Sequence, residues 1–379
     1  MLIYTTGLGL CLGVALMNIP PALDVLMARY QVNYLGISIL ITALLWAHAL
    51  CQVPAGMVAD RWGVKPTLAW GLLFLALGNI MPLCLPGMFM ATTARIICGL
   101  GTGLSFIAAM KLLAMIAPPE RAGVFQAYMG GTVALGSIAA YLALPSLAAL
   151  DWRWPFTLPA ILSCVLLFLL RTLPIEPVSK SKESPALLGV PGVMALPQAW
   201  LLGLVHALSW GSVLTLGNWT PSLLTETGGG LSASSLAWSG ALVMLVSGVG
   251  RMAGAPLLAR FKPSLVAGLS MFLLAVVYLG IWNARGAWSM TLLIVAGVSL
   301  ASVNFGSIFQ LASQATGTGN LGVLLGFVNM LANVGAIIFT LFLGWFKDQT
   351  GSFSLSFLFL AAACISAGLL TFYFYRRRA

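Results

Sequence analysis

Residues 56–65 read G-M-V-A-D-R-W-G-V-K, a short charged hinge set between two apolar runs, 35–58 and 66–85. Each run is long enough to cross a bilayer, because a spanning helix needs about 20 apolar residues. Gly56 lets a neighbouring helix come close, and Gly63 permits a tight turn. Asp60 and Arg61 place charge at the end of the first run, and Lys65 opens the second. An ordinary charged loop is the plainer reading, but such a loop has no need of these residue types at this spacing.

The rest of the chain repeats the pattern. Hydrophobic residues make up 60% of it and charged residues only 7%, against roughly 25% charged in a soluble domain. A surface of that composition cannot face water. Apolar runs at 4–28, 35–58, 66–85, 88–115, 122–145, 154–173, 198–222, 233–258, 264–283, 287–312, 319–345 and 352–375 predict twelve transmembrane helices. They nearly exhaust the 379 residues and leave little for a soluble catalytic or regulatory domain. The expected fold is an all-α membrane protein.

One stretch breaks the rhythm. Residues 176–197, with P-V-S-K-S-K-E-S-P inside, are polar and read as a cytoplasmic linker between six-helix bundles at 1–175 and 198–379. The two halves also resemble each other. A shift of 199 lays 122–136 over 321–335, so that Gly123 meets Gly322 and Tyr128 meets Phe327. A shift of 198 pairs Ala55 and Gly56 with Ala253 and Gly254. Repeats of this kind place a substrate site near the bilayer midplane.

Charge orients the chain. With the N-terminus in the cytoplasm, twelve of the 18 Lys and Arg residues lie inside and four outside (Arg29, Arg153, Arg285 and Lys347). Short loops rich in Lys and Arg stay on the cytoplasmic side, so an inner-membrane protein with both termini cytoplasmic is expected. The net charge of +10 is then a topology signal with the lipid bilayer as partner, not a nucleic-acid footprint. The start of the chain lacks a basic segment and reads as the first helix, not as a cleaved signal. The six cysteines fall in apolar stretches without metal-ligand spacing, so no metal or other cofactor is expected.

The hinge at Gly56, Asp60, Arg61, Gly63 and Lys65 resembles the signature loop of the major facilitator superfamily. Further likenesses run along the chain. R-I-I-C-G-L-G-T-G at 95–103 is similar to the family's arginine–glycine motif, and K-L-L-A-M-I-A-P-P-E-R-A-G at 111–123 to its entry to the fifth helix. D-W-R-W-P-F at 151–156 and G-R-M-A-G-A-P-L-L-A-R-F at 250–261 fit as well. The resemblance implies two pseudo-symmetric six-helix bundles and a transporter of small solutes, functional as a monomer and not an enzyme. Two departures stand out: Leu258 replaces the acid of the second-half hinge, and G-G-T-V-A-L-G at 130–136 lacks the proline-containing motif of drug–proton antiporters. Arg251 and the helix end N-W-T-P-S-L-L at 218–224 are similar to the nitrate, cyanate and organic-anion branches.

Charges inside a bilayer are costly and are functional candidates by default. Arg251 stands seven residues before Leu258, about 10 Å from the cytoplasmic end at 1.5 Å per residue. Arg95 lies at a similar depth below the outer surface. No Asp or Glu falls in the middle of any predicted span, so an interior with two arginines suits a small organic or inorganic anion, gripped by planar guanidinium forks. A packing or gating role is the rival reading for both. His48 stands about 18 Å from the cytoplasmic face, by the same rise per residue. It would bind an anion, carry a coupling proton, or simply satisfy a helix carbonyl; His206 poses the same choice. Asn329 and Asn333, four apart, share one helix face, as substrate ligands or as interhelical hydrogen bonds. Asp24, near the outer interface, would serve as a proton site or as the acidic contact of the rival reading, efflux of a drug-like cation. A sensor or assembly factor that keeps the fold without transport is the rival from another class, hinted at by Leu258 alone.

Overall fold

The computed structural model describes residues 1–32, 34–174, 189–227, 233–316 and 320–376. Most of the expected linker lies outside the described residues. The described chain is helical throughout: α1 Leu2–Leu16, α2 Leu23–Tyr30, α3 Tyr34–Arg61, α4 Val64–Cys84, α5 Met88–Ile116, α6 Ala122–Leu150, α7 Trp154–Leu170, α8 Gly189–Met194, α9 Pro197–Glu226, α10 Ala233–Leu258, α11 Pro263–Asn283, α12 Ala287–Val303, α13 Phe305–Ala315, α14 Leu321–Thr350 and α15 Ser354–Arg376. Among the described residues nine stretches are long and apolar enough to cross a membrane, and three apolar helices, Leu2–Leu16, Trp154–Leu170 and Leu242–Leu258, are shorter. Only helices satisfy every backbone N–H and C=O within one segment, which lipid demands.

Two of the expected helices are broken. The first, expected over 4–28, stops at Leu16 and resumes at Leu23 after a 3₁₀ turn at Pro20–Ala22. Pro20 and Pro21 have no N–H to donate, and their rings clash with the preceding turn. The tenth, expected over 287–312, is interrupted at Asn304, between α12 and α13.

The internal repeat is plainer in the helices than in the residues. The starts of α4 and α11, of α5 and α12, and of α6 and α14 each lie 199 residues apart, and those of α7 and α15 lie 200 apart. Packing follows the same rule: α4 lies on α7 as α11 lies on α15, and α1 meets α7 as α9 meets α15.

The chain forms two compact units. The first comprises Met1–Met115, Thr132–Val193 and Thr316–Gly326, and so takes in the start of α14. The second comprises Ile116–Gly131, Met194–Ala315 and Phe327–Ala379, and so takes in the start of α6. In the first unit α5 is largely buried and packs against both α3 and α4. A Cβ on Gly99 would stand 2.4 Å from the Leu44 carbonyl oxygen of α3, and one on Gly101 would stand 2.6 Å from the Leu75 nitrogen of α4. The glycines of 95–103 thus let two helices press on α5 at van der Waals distance, which is what drives helix association where lipid is as apolar as the side chains.

Candidate functional site

The hinge builds the first unit's principal polar tie. Gly63 turns the chain between α3 and α4 with φ at 92°, a left-handed value that favours glycine. Lys65, in the first turn of α4, donates to the carbonyl of Leu173 at 2.9 Å beyond the end of α7. Arg61 is exposed. Asp60, buried near the end of α3, accepts from the backbone N–H of Gly322 and of Val323, both at 2.8 Å. Those groups open α14, where N–H groups have no partner in their own helix and the dipole favours an anion. A Cβ on Gly56 would stand 2.2 Å from the Gly322 carbonyl oxygen, so glycine is what admits α14 close enough for Asp60 to reach. Lys111 completes the tie: its Nζ donates to Asp60 Oδ1 at 2.5 Å and to the Ala59 carbonyl at 3.1 Å. Counted on the sequence as cytoplasmic charge, Lys111 is instead a buried ion-pair partner.

The second unit solves the same problem without charge. A shift of 199 carries Lys111 to Gln310 and Gly322 to Gly123. There, Gln310 Oε1 accepts from the Gly123 N–H, and its Nε2 donates to the Pro119 carbonyl, at the start of α6. Leu258, in place of the acid, is buried, and its Cδ1 lies 2.7 Å from where a Cβ on Gly306 would stand. The neutral amide of Gln310 therefore caps α6 as Asp60 caps α14.

The two membrane arginines have different surroundings. In the first unit Arg95 meets three protein acceptors, while its Nη2 is buried without a partner among the described residues. Its Nη1 donates to Asn18 Oδ1 at 2.8 Å and to the Ala15 carbonyl at 3.2 Å, and its Nε to the Leu40 carbonyl at 3.3 Å. Asn18, freed by the helix break before Pro20, also donates to the Pro155 carbonyl at 2.8 Å. His48 is likewise engaged at both nitrogens: Nδ1 lies 3.0 Å from Thr102 Oγ1, and Nε2 lies 2.7 Å from Gln52 Nε2. Thr102 passes its own hydrogen to the Gly99 carbonyl.

In the second unit Arg251 has, among the described residues, one protein acceptor, the Gly130 carbonyl at 3.4 Å, and its Nε is buried without a partner among them. The guanidinium lies between two aromatic rings, 4.7 Å from the centre of Trp210 and 4.6 Å from that of Phe305. Cation–π attraction to both rings strengthens as water is removed. It shares a small cavity with His206, Ser209, Trp210, Val213, Ala301, Ser302 and Phe305. Among the described residues no carboxylate pairs with Arg251 or Arg95.

α9 lines that cavity and is tied to α14 by matched spacing. Asn329 Oδ1 meets His206 Nε2 at 3.2 Å, and Asn333 Oδ1 accepts from Trp210 Nε1 at 3.3 Å. Each pair stands four residues apart, one turn on each helix. Asn333 Nδ2 also donates to the Asn329 carbonyl at 2.8 Å, fixing one asparagine by the other. The structure thus brings Arg251, His206, Asn329 and Asn333 together in the second unit and holds Arg95 and His48 in the first. The side chain of Asp24, on α2, lies outside the described residues. Sequence reasoning missed Trp210 and Phe305 as neighbours of Arg251, Lys111 as the ion-pair partner of Asp60, and Gln310 as a helix cap. The 199-residue shift, applied to Lys111, was the available signal for Gln310.

The family model described as Major Facilitator Superfamily matches residues 5–340. This chain belongs to the Major Facilitator Superfamily. It is a multi-pass membrane transporter of small solutes and not an enzyme. It is 25% identical to the hexuronate transporter of Bacillus subtilis over 354 residues, covering 87% of this chain and 83% of that protein. It is 24% identical to a candidate tartrate transporter of Agrobacterium vitis over 374 residues, covering 86% and 81%. A crystal structure of the E. coli fucose:proton symporter FucP superposes with a TM-score of 0.80 at 16% identity, covering 98% of both chains. That likeness is one of fold.

Proposed function

We propose that this chain is a secondary active transporter that carries a small anion across the inner membrane by alternating access, with Arg251 as the group that holds the anion. The observation that carries the reading is the state of Arg251: buried, clamped between Trp210 and Phe305, with Nε unpartnered and no carboxylate paired to it. A buried charge left unpaired is costly, and a mobile counter-ion arriving as substrate offsets that cost. The guanidinium fork suits a carboxylate, which it can hold through two parallel hydrogen bonds. The hexuronate and tartrate relatives support the choice of a carboxylate over an inorganic anion.

In this reading the six-helix bundles 1–175 and 198–379 rock about the bound anion, with both termini in the cytoplasm and one chain sufficient for transport. The caps of α14 by Asp60 and of α6 by Gln310 tie segments of the two halves. Both ties must break when the cytoplasmic side opens. His206, beside Arg251, is the proton-coupling candidate with a free valence, since both nitrogens of His48 are engaged. A thermal-shift panel of monocarboxylates, sugar acids and small oxyanions on the purified protein tests the assignment. Stabilisation by at least one carboxylate, lost in Arg251→Gln, is expected. Stabilisation that survives Arg251→Gln would remove Arg251 from the site.

A further inference from the structure

The cavity around Arg251 holds a second unsatisfied group of opposite character. His206 is 2% exposed. Its ring meets Phe305 edge-on at 5.7 Å and Phe309 at 5.3 Å, which fixes its plane. Asn329 presents its Oδ1 to Nε2, so the hydrogen of the neutral ring sits on Nε2 and the lone pair on Nδ1. Nδ1 is buried and has no partner among the described residues. Arg251 and His206 line one small cavity, so a conformation that opens it would present a substrate with one donor edge, the guanidinium with its Nε–H, and one acceptor, His206 Nδ1.

That pairing selects a chemistry. A fully deprotonated oxyanion such as nitrate or sulfate brings only acceptors, and its oxygens would meet the Nδ1 lone pair. A plain carboxylate fills the guanidinium and leaves Nδ1 unsatisfied, at the full desolvation cost of that group. A carboxylate bearing a hydroxyl satisfies both, because its oxygens accept from Arg251 while its O–H donates to Nδ1. Resting on the Arg251 reading above, we infer that the substrate is a hydroxy acid whose hydroxyl is read by His206 Nδ1, with Asn329 as the residue that positions the ring. Hexuronate and tartrate, the cargoes named for two relatives, belong to this class.

Matched pairs test the inference: lactate against propionate, tartrate against succinate, and gluconate against hexanoate, each titrated calorimetrically into the purified full-length protein at neutral pH. A site built to bond a hydroxyl rejects the analogue lacking it, so at least one hydroxy acid is expected to bind about tenfold or more tighter than its partner. His206→Phe keeps the ring packing and removes Nδ1, and is expected to bind the two members of that pair within about twofold of each other. Asn329→Ala releases the ring and is expected to narrow the same preference, should His206→Phe fail to fold. Equal binding within every pair by the wild type, lost in Arg251→Gln, overturns the hydroxyl inference and leaves Arg251 in place. Binding that Arg251→Gln does not change overturns both. A preference that persists in His206→Phe assigns the hydroxyl to another group. Propionate and succinate binding that rises to match the hydroxy acids as pH falls would show that Nδ1 reads a protonated carboxyl instead, and would also overturn it.

Discussion

At the scale of single residues, two cations show how differently one membrane interior treats charge. Lys111 is paired with a carboxylate, and Arg251 is held by rings and one carbonyl. The Lys111 pair is a tie rather than a site, because Asp60 spends its remaining lone pairs on the first N–H groups of α14. Asp60→Ala leaves a buried ammonium and two open N–H groups, and is expected to cost roughly 3 kcal/mol. Lys111→Met is expected to restore part of that loss in the double variant. Thermal melts of both single variants and the double variant give the coupling; strictly additive losses would show that the pair does not act as a unit. Asp60 stood out on the sequence because of the hinge around it. Lys111 did not, since a lysine at a helix end near a loop looks like ordinary topology charge until the packing of α3 on α5 is known.

At the scale of helices, glycine and proline decide the contacts. Gly56 admits α14, and the Pro20–Pro21 pair ends α1 so that Asn18 can serve Arg95. The break at Asn304 was not legible, because 287–312 carries no proline and no charge and hydropathy does not register a lost backbone bond. The cap on α6 is the element-scale consequence of the missing acid at Leu258. Gln310→Leu leaves the Gly123 N–H and the Pro119 carbonyl without Gln310, and is expected to cost about 1–3 kcal/mol, the penalty for a buried group stripped of its partner. Hydrogen exchange at the first turn of α6 should rise with it. Unchanged exchange there would mean that Gln310 does not cap the helix.

At the scale of the whole molecule, the hinge at 56–65 and the repeat offset were enough to read the fold, because both depend on local chemistry and helix spacing. The clamp on Arg251 was not readable, since Trp210, Arg251 and Phe305 come from three helices that only tertiary packing brings together. The uneven spread of Lys and Arg predicts a cytoplasmic C-terminus. A fluorescent protein fused after Ala379 should therefore glow and an alkaline phosphatase at the same point should be inactive; an active phosphatase would reverse the orientation.

Anion movement that depends on Arg251 is measured directly by uptake into proteoliposomes. Labelled carboxylates that stabilise the protein are presented to vesicles carrying wild type, Arg251→Gln or Arg251→Lys. The wild type is expected to accumulate the label, Arg251→Gln to lose at least about tenfold, and Arg251→Lys to fall well short of the wild type, because a point charge lacks the planar fork and flat face that the carboxylate and the Trp210–Phe305 clamp require. Full uptake by Arg251→Gln would contradict the account.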